Sequence, residues 1–342
     1  MLKTPAVLPE TPQASSDLLS DLLATMHLTG TVLFRAEFRE PWLVETQGSQ
    51  RLAQVLPFRT EHIVPFHIIA AGGCRVEMPD GQAAWLEEGD AILLPYGEKH
   101  RLGGHEAASP VQFGEILPQA PWTGIPFVQH GGSGAVTTII CGFVQCDELL
   151  FHPLLRYLPS LMHVRPDGSA GDEWLSKTMR HTASEVGHPM PGSRSMLPRL
   201  TEVMFVEILR KHMQGLTHEA VGWFAAVNDP IAGKALKLMH AQPLRDWSVD
   251  ELARLGATSR TVLADRFKHY FDQPPMQYLA RWRMQLAAQQ LKSEVVPIKT
   301  IADRSGYESE AAFSRAFKRY FGSSPADWRK NKPAIDCLSK AG

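Results

Sequence analysis

The sequence predicts an α+β multidomain chain: an N-terminal antiparallel β-barrel or jelly roll, a helical linker, and a C-terminal all-α domain with two helix-turn-helix units. Three observations carry this expectation. Leu263–Phe267–Tyr270–Phe271–Pro275–Tyr278 recurs, fifty positions on, as Phe313–Phe317–Tyr320–Phe321–Pro325–Trp328. The first half is instead a series of short Val, Ile, Phe and Leu-rich segments separated by Gly, Pro and Asp. Charge is also divided unevenly. Residues 227–342 hold 19 Lys+Arg against 12 Asp+Glu, a net of +7, while residues 1–226 hold 16 against 24, a net of −8. Their sum is the near-neutral −1 of the whole chain.

The 342 residues leave room for two domains and a connection. Met1 to Asp17 lacks the basic-then-apolar pattern of a secretory leader. No apolar run approaches a membrane span. Four cysteines (Cys74, Cys141, Cys146, Cys337) in a chain this long suit a reducing compartment better than a disulfide scaffold. The expected location is the cytoplasm, with no membrane partner.

Strands are expected at Gln54–Phe58, His62–Ala71, Gly73–Met78, Ala83–Leu86, Ala91–Leu94, Val111–Leu117 and Ala135–Gln145. Turn sequences such as Pro79-Asp80-Gly81, Gly89-Asp90 and Gly103-Gly104 separate them, a spacing that suits a barrel or jelly roll. Helical periodicity then appears in Trp174–Val186, breaks at His188–Gly192, and resumes over Met196–Met213. Leu197, Leu200, Val203, Met204, Ile208 and Leu209 share one side of the second helix. That face must bury against its own domain or the same helix of a second subunit.

Each C-terminal unit reads helix, tight turn, helix. Val249–Leu252–Ala253 and Ile298–Ile301–Ala302 mark the two leading helices. Ser248 with Glu251 forms a capping-box pattern, and Ser259 and Ser309 stand where the later helices begin. Apolar residues line one side of each later helix. The opposite sides carry Arg260, Thr261, Ala264, Asp265 and Lys268 in the first copy and Glu310, Ala311, Ser314, Arg315 and Lys318 in the second. Small residues among longer polar ones let a helix approach base edges. Arg pairs with guanine, acidic side chains accept from cytosine, and Lys neutralises phosphate. A solvated amphipathic helix explains one such face; repetition in register favours nucleic acid.

On these residues the chain resembles the AraC/XylS family of bacterial transcription regulators. The resemblance covers roughly 229–330, including Tyr278-Leu-Ala-Arg-Trp-Arg-Met-Gln-Leu-Ala287 as the central connecting helix. It implies two recognition helices in successive major-groove segments, about 34 Å apart. The ten polar-face residues named above are the implied DNA contacts. One departure stands in the first turn, where Gly256-Ala257 sets glycine one position early while the second turn keeps Gly306. A left-handed residue at Ala257 would be strained.

Gly89-x5-Pro95-x-Gly97-x2-His100 further resembles the second motif of the cupin superfamily, with Gly104 in place of its final Asn. Cys141-Gly142-Phe143, then His152-Pro153-Leu154-Leu155 and Leu158-Pro159, resemble the N-terminal domain of one subgroup of these regulators. The resemblance implies an effector-binding cupin, with His67, Tyr96 and His100 as its polar groups. A metal enzyme is the rival of different class. The first motif has no His-x-His pair, since Ile69 follows His67 at that spacing, although His62, His67, His100 and His105 could cluster. A metal site needs three or four converging ligands, so no metal, cofactor or catalytic residue is expected.

Cys141 reads as buried core, with an oxidant- or electrophile-sensing thiol as the alternative. Cys141 and Cys146 are five apart, so a regular strand points them to opposite faces. The expected organisation is a cupin-like sensor over 1–162, linker and dimerisation helices over 163–226, a double helix-turn-helix domain over 227–332, and a mobile tail over 333–342. The expected function is an effector-controlled transcription regulator. Its partners would be double-stranded DNA, a small-molecule effector, a second copy of the chain, and RNA polymerase if it activates.

Overall fold

The computed structural model describes residues 17–24, 28–49, 63–119, 122, 124–145, 157–166, 170–217, 219–293 and 295–330. Gln54–Phe58, His62, Cys146, His152–Leu155, Cys337 and the 333–342 tail lie outside them.

The chain opens with helix α1 (Leu18–Ala24), followed by β1 (Thr29–Arg39), β2 (Leu43–Thr46), β3 (Ile63–Ala71), β4 (Gly73–Glu77), β5 (Ala83–Glu87), β6 (Ala91–Leu93), β7 (His100–Gly103) and β8 (Val111–Gln112). A one-turn helix α2 (Phe113–Ile116) precedes β9 (Phe127–Gly131), β10 (Val136–Gln145) and β11 (Met162–Val164). The strands make a six-stranded sheet, ordered β11-β6-β3-β10-β1-β9, and a five-stranded sheet, ordered β5-β4-β7-β2-β8. Most neighbours are antiparallel, but β9 on β1 and β8 on β2 are parallel. The two ladders are separate among the described residues, so backbone pairing joins the strands into two sheets rather than a closed barrel.

The expected strand Val111–Leu117 is corrected to the two residues of β8 followed by α2. Phe113 and Ile116 lie one helical turn apart, and Phe113 stacks on Phe34 at 4.5 Å between ring centroids. The longest strand, β1, escaped the sequence reading because Arg35 and Glu37 interrupt its apolar run. Those two polar residues lie on the outward face of an otherwise buried strand.

Residues alternate strictly along β3 and β10. Phe66, Ile68, Ile140 and Val144 join an outward cluster, whereas Ile69, Ile139, Cys141 and Phe143 join the cluster facing the second sheet. Helices α3 (Ala170–Gly187) and α4 (Ser193–Gln214) cover the outward face, with α3 on β3 and α4 on β1. Leu197, Met204, Ile208 and Leu209 are buried as expected. Phe205 is buried too, but Val203 is 47% exposed and Leu200 only half-buried.

The C-terminal part contains α5 (Trp223–Asn228), α6 (Ala232–Ala241), α7 (Val249–Leu255), α8 (Arg260–Phe271), α9 (Pro275–Ser293), α10 (Ile298–Arg304), α11 (Glu310–Phe321) and α12 (Pro325–Lys330). No helix among the described residues is long and apolar enough to cross a membrane. The helix-turn-helix pairs are α7–α8 and α10–α11, and α9 connects them.

Both turns end their leading helix in the same way. Thr258 N donates to the Ala253 carbonyl and Ala257 N to that of Arg254; Tyr307 N donates to Ala302 and Gly306 N to Asp303. This is the Schellman pattern, which requires a left-handed residue after the helix. Gly306 occupies that position at φ 80, and Ala257 occupies it at φ 53. One residue then separates Ala257 from the next cap and two separate Gly306, so the repeat shifts register by one inside the turn. Replacing Ala257 by Gly removes a left-handed alanine that costs about 1–2 kcal/mol, partly offset by glycine's greater unfolded-state entropy. Ala257→Gly should therefore raise the denaturation midpoint of the full chain.

Candidate nucleic-acid interface and sensor interior

The two later helices begin on the serines the sequence singles out. Ser259 Oγ accepts from Val262 N, and Ser309 Oγ from Ala312 N, each at 3.2 Å. Ser248 likewise accepts from Glu251 N at 3.1 Å. The Glu251 carboxylate, however, pairs with Arg245.

Leu263 and Phe267 anchor α8 in the core, and Phe313 and Phe317 anchor α11, all with no solvent exposure. Arg260, Thr261, Asp265 and Lys268 are exposed, and Ala264 is half-buried beneath them. On α11, Glu310, Ala311, Arg315 and Lys318 are exposed and Ser314 is half-buried. Arg260 pairs with Asp250 of α7 at 3.0 Å, an exposed contact between the two helices of the unit. The faces differ in chemistry: Asp265 stands where the second copy has Arg315, and Thr261 where it has Ala311. Two helices of one shape thus present different donors and acceptors.

The repeat is also less exact than its sequence. Tyr270 is buried and its hydroxyl donates to Asp229 at 3.0 Å, whereas Tyr320 is 37% exposed. Val262, 39% exposed near the start of α8, and the exposed Arg319 of α11 went unnoticed in the pattern.

Between the sheets, His67 on β3, His100 on β7 and Cys141 on β10 form a chain. His67 Nδ1 lies 2.8 Å from Cys141 Sγ, and His67 Nε2 lies 2.8 Å from His100 Nε2. Proton accounting fixes its direction. His100 Nδ1 faces the Glu98 carbonyl at 3.1 Å, which can only accept, so Nδ1 carries the proton and Nε2 accepts. Thr46 Oγ1, 2.8 Å from the same Nδ1, donates its hydroxyl to the His100 carbonyl and so also accepts from the ring. His67 must then donate through Nε2 and receive the Cys141 thiol proton at Nδ1. Because His67 uses its two nitrogens on different partners, the three side chains form a line rather than surrounding a point. Among the described residues, no group of three or more His, Cys, Asp or Glu is arranged to hold a metal ion.

Burial sets the charge states of this chain. Desolvation, reinforced by the neighbouring His100, holds His67 well below the usual imidazole value. Desolvation takes His100 down to about 4, against a smaller upward effect from the Glu98 carbonyl. Burial pushes the Cys141 thiol well above its ordinary range, as it pushes Cys74 up to about 12. Such thiols lack the thiolate character that makes cysteine reactive.

Two expected neighbours lie elsewhere. Tyr96 gives its hydroxyl to the Leu158 carbonyl at 2.9 Å and packs with the outward cluster. His105 stacks on Trp85 at 3.9 Å. Gly104, the departure from the cupin motif, makes room for the Glu40 carboxylate, which a Cβ there would meet at about 2 Å. Glu40 in turn accepts from His105 N at 2.6 Å and Glu106 N at 3.3 Å, tying the turn down without the motif's asparagine.

A model of the Cupin family matches residues 17–214, and a helix-turn-helix domain model matches residues 252–331. A putative AraC-like transcription regulator of Streptomyces lividans is 33% identical over 276 residues, covering 80% of this chain and 89% of that protein. The HTH-type transcriptional regulator AlkR of Acinetobacter baylyi is 30% identical over 322 residues, covering 92% of this chain and 99% of its own. Among solved structures, the DNA-binding domain of AdpA in complex with a target DNA is 28% identical. It covers 30% of this chain and 92% of its own, with a TM-score of 0.28.

The depressed imidazoles predict acid sensitivity. Above the ordinary value of 6.5, the folded and unfolded forms are both neutral and nothing is lost. Below it the unfolded chain binds protons that the folded chain refuses, until the pH reaches the folded value near 4 for His100. Each such imidazole then removes up to about 1.4 kcal/mol per pH unit. The thermal midpoint should fall across this window, with a gentler slope in His100→Asn. A residual slope should remain from His240, which burial lowers to about 3.

Proposed function

The chain belongs to the AraC family of transcription regulators that carry an N-terminal cupin domain, and from that premise we propose that a small-molecule effector acting through the cupin controls its DNA binding. That it is a DNA-binding regulator follows from the family. The observation carrying the assignment of DNA contacts is the pair of serine-capped helices, α8 and α11, whose polar faces are exposed and chemically distinct. We assign Arg260, Thr261, Ala264 and Asp265 to one groove segment and Glu310, Ala311, Ser314 and Arg315 to the next. Lys268 and Lys318 are assigned to phosphates.

Effector control is supported by packing. The outward cluster of the first sheet continues through Phe205 and Leu209 of α4 into Trp223 at the end of the linker and Leu236 and Phe267 of the DNA-binding part. A ligand preferring one sensor conformation can shift DNA binding by its differential affinity for the two states. Our reading divides the chain into a sensor over 1–162, a linker over 163–226 and a DNA-binding domain over 227–332. We read the double sheet as a cupin jelly roll whose closure comes from side chains. A homodimer in the cytoplasm is part of the proposal, since +7 over the C-terminal third is modest for tight DNA binding alone. Exposed Trp174 and Val203 on the linker helices suit such a contact. RNA polymerase joins the partners if the regulator activates. The oxidant-sensing alternative is weakened by the burial and raised pKa of Cys141.

Arg315→Ala should cost about 1–3 kcal/mol at one guanine-containing position and relax selectivity there. Lys268→Ala and Lys318→Ala should weaken all sequences alike and lower the salt slope by about one. Binding of the full chain to selected genomic fragments, titrated against salt, measures both. A folded full-length protein that enriches no genomic sequence over random DNA would sink the proposal.

A further inference from the structure

Helix α9 changes partners within three residues. Trp282 is the last of its side chains in the first core and Met284 the first in the second, and the two cores are separate clusters. Arg283 stands between them.

Its guanidinium is held along one edge. Nε donates to the Pro243 carbonyl at 2.6 Å and Nη2 to the Arg245 carbonyl at 2.7 Å, both in the loop that leads into α7. These bonds are short and charge-assisted. The planar fork of arginine meets two carbonyls at once, where an ammonium is a single point of charge. The loop is itself anchored to the first unit. The Arg245 carbonyl also accepts from Trp247 N at 2.9 Å, and the buried Trp247 indole donates to the Gln242 carbonyl at 3.0 Å. The Arg245 side chain pairs with Glu251 of α7.

The remaining nitrogen faces the second unit. Arg283 Nη1 lies 3.8 Å from where a Cβ on Gly306 would stand, at the left-handed residue of the second turn. Burial, helped by Tyr320, raises the adjoining Tyr307 phenol, and the Arg319 and Arg283 cations act in the opposite sense. Tyr307 packs edge-on against Phe313, an anchor of α11, at 5.6 Å between ring centroids. One side chain thus reaches the entry loop of the first helix-turn-helix unit and the turn of the second.

We propose that Arg283 is a positioning residue that fixes how the two units sit about α9, and so the separation and rotation demanded between the two half-sites. Units with separate cores on one helix can twist about it, and the fork resists because hydrogen bonds weaken steeply off angle. One inserted base pair moves the second groove segment by about 3.4 Å and turns it by roughly 35°. A rigidly held pair of helices does not follow. This inference rests on the assignment of α8 and α11 to successive groove segments, to which it adds the residue that sets their spacing.

The test uses the full chain and a duplex that wild type selects from random-sequence DNA. Derivatives carry one or two base pairs inserted between the protected segments, or one segment scrambled. Arg283→Gln should weaken binding to the selected duplex roughly tenfold if about a tenth of its molecules remain aligned. Its penalty for an inserted base pair should shrink severalfold, because misaligned molecules fit the longer spacing. Binding to the single-segment duplexes and the salt slope should match wild type. Arg283→Lys keeps the charge and should fall between the two; it carries the test if the glutamine variant unfolds. Nitroxides on the exposed positions His269→Cys and Ala326→Cys, with Cys146 and Cys337 changed to Ser, read the arrangement without DNA. One narrow distance is expected in wild type and a broad distribution in Arg283→Gln. An unchanged width, an undiminished insertion penalty, or equal loss on single-segment duplexes overturns the proposal. So does a salt slope lower by about one, which makes Arg283 a phosphate contact. Protection of a single segment by wild type overturns the two-groove assignment and the spacing claim with it, and the label distances then decide the strut alone.

Discussion

The structure depends on a sheet that is apolar on both faces. Val32, Val64, Phe66, Ile68, Ile140 and Val144 point away from the second sheet and are buried only because α3 and α4 lie over them. Full burial of a side chain of this size is worth about 1.5–3 kcal/mol, so six contribute on the order of 10 kcal/mol as an upper estimate. That matches the whole stability of a typical domain. The linker helices are therefore a layer of the sensor and not a tether. Undocking them would unfold the sheet, so a regulatory change must be a small shift of packed elements.

The same constraint sets how the first sheet is joined to the two helix-turn-helix units. The outward cluster runs unbroken into the first helix-turn-helix unit, and α1 packs against α6 within it. The second unit has its own core, built from Met284, Ala287, Ala288, Leu291, Ile301, Phe313 and Phe317. Helix α9 belongs to both: Tyr278, Leu279 and Trp282 enter the first core, and Met284, Ala287, Ala288 and Leu291 enter the second. Helix α4 meets α5 through His212 and Phe224, and α5 packs on α8, so a shift of α4 has one intervening helix before α8 and reaches α11 only farther on, along α9. On the proposed reading, the sensor would have its strongest leverage on the half of the operator assigned to α8.

The helix-turn-helix units were legible because their information is local. Periodicity, serine caps and the glycine position fix α8 and α11 within a few residues of chain, and Ala257 declared its own strain. The connecting helix was legible for the same reason. Elements that depend on distant partners were not. In β1, Arg35 and Glu37 look like breaks in a strand until they are seen to pair with each other on its outward face. Tyr320 matches Tyr270 in the repeat, yet the latter is buried by Asp229, which has no counterpart beside the second copy. The interior histidines could be named, but their mutual contact needs β3 and β7 brought together from opposite sheets.

That contact explains why polar groups occupy an otherwise apolar interior. Desolvating two imidazoles and a thiol is unfavourable, and apolar side chains of equal volume would fill the space at less cost. A fully satisfied network offers direction instead. Apolar faces can slide over one another with little change in energy, whereas the sequence thiol, imidazole, imidazole, carbonyl works in one alignment only. His100 belongs to the five-stranded sheet and His67 and Cys141 to the six-stranded one, so the chain is a polar cross-tie between two ladders that are separate among the described residues. A fixed second sheet gives the first a rigid back. With the second sheet tied to it, the first sheet is held from behind, and α3 and α4 are the layer packed on its other face.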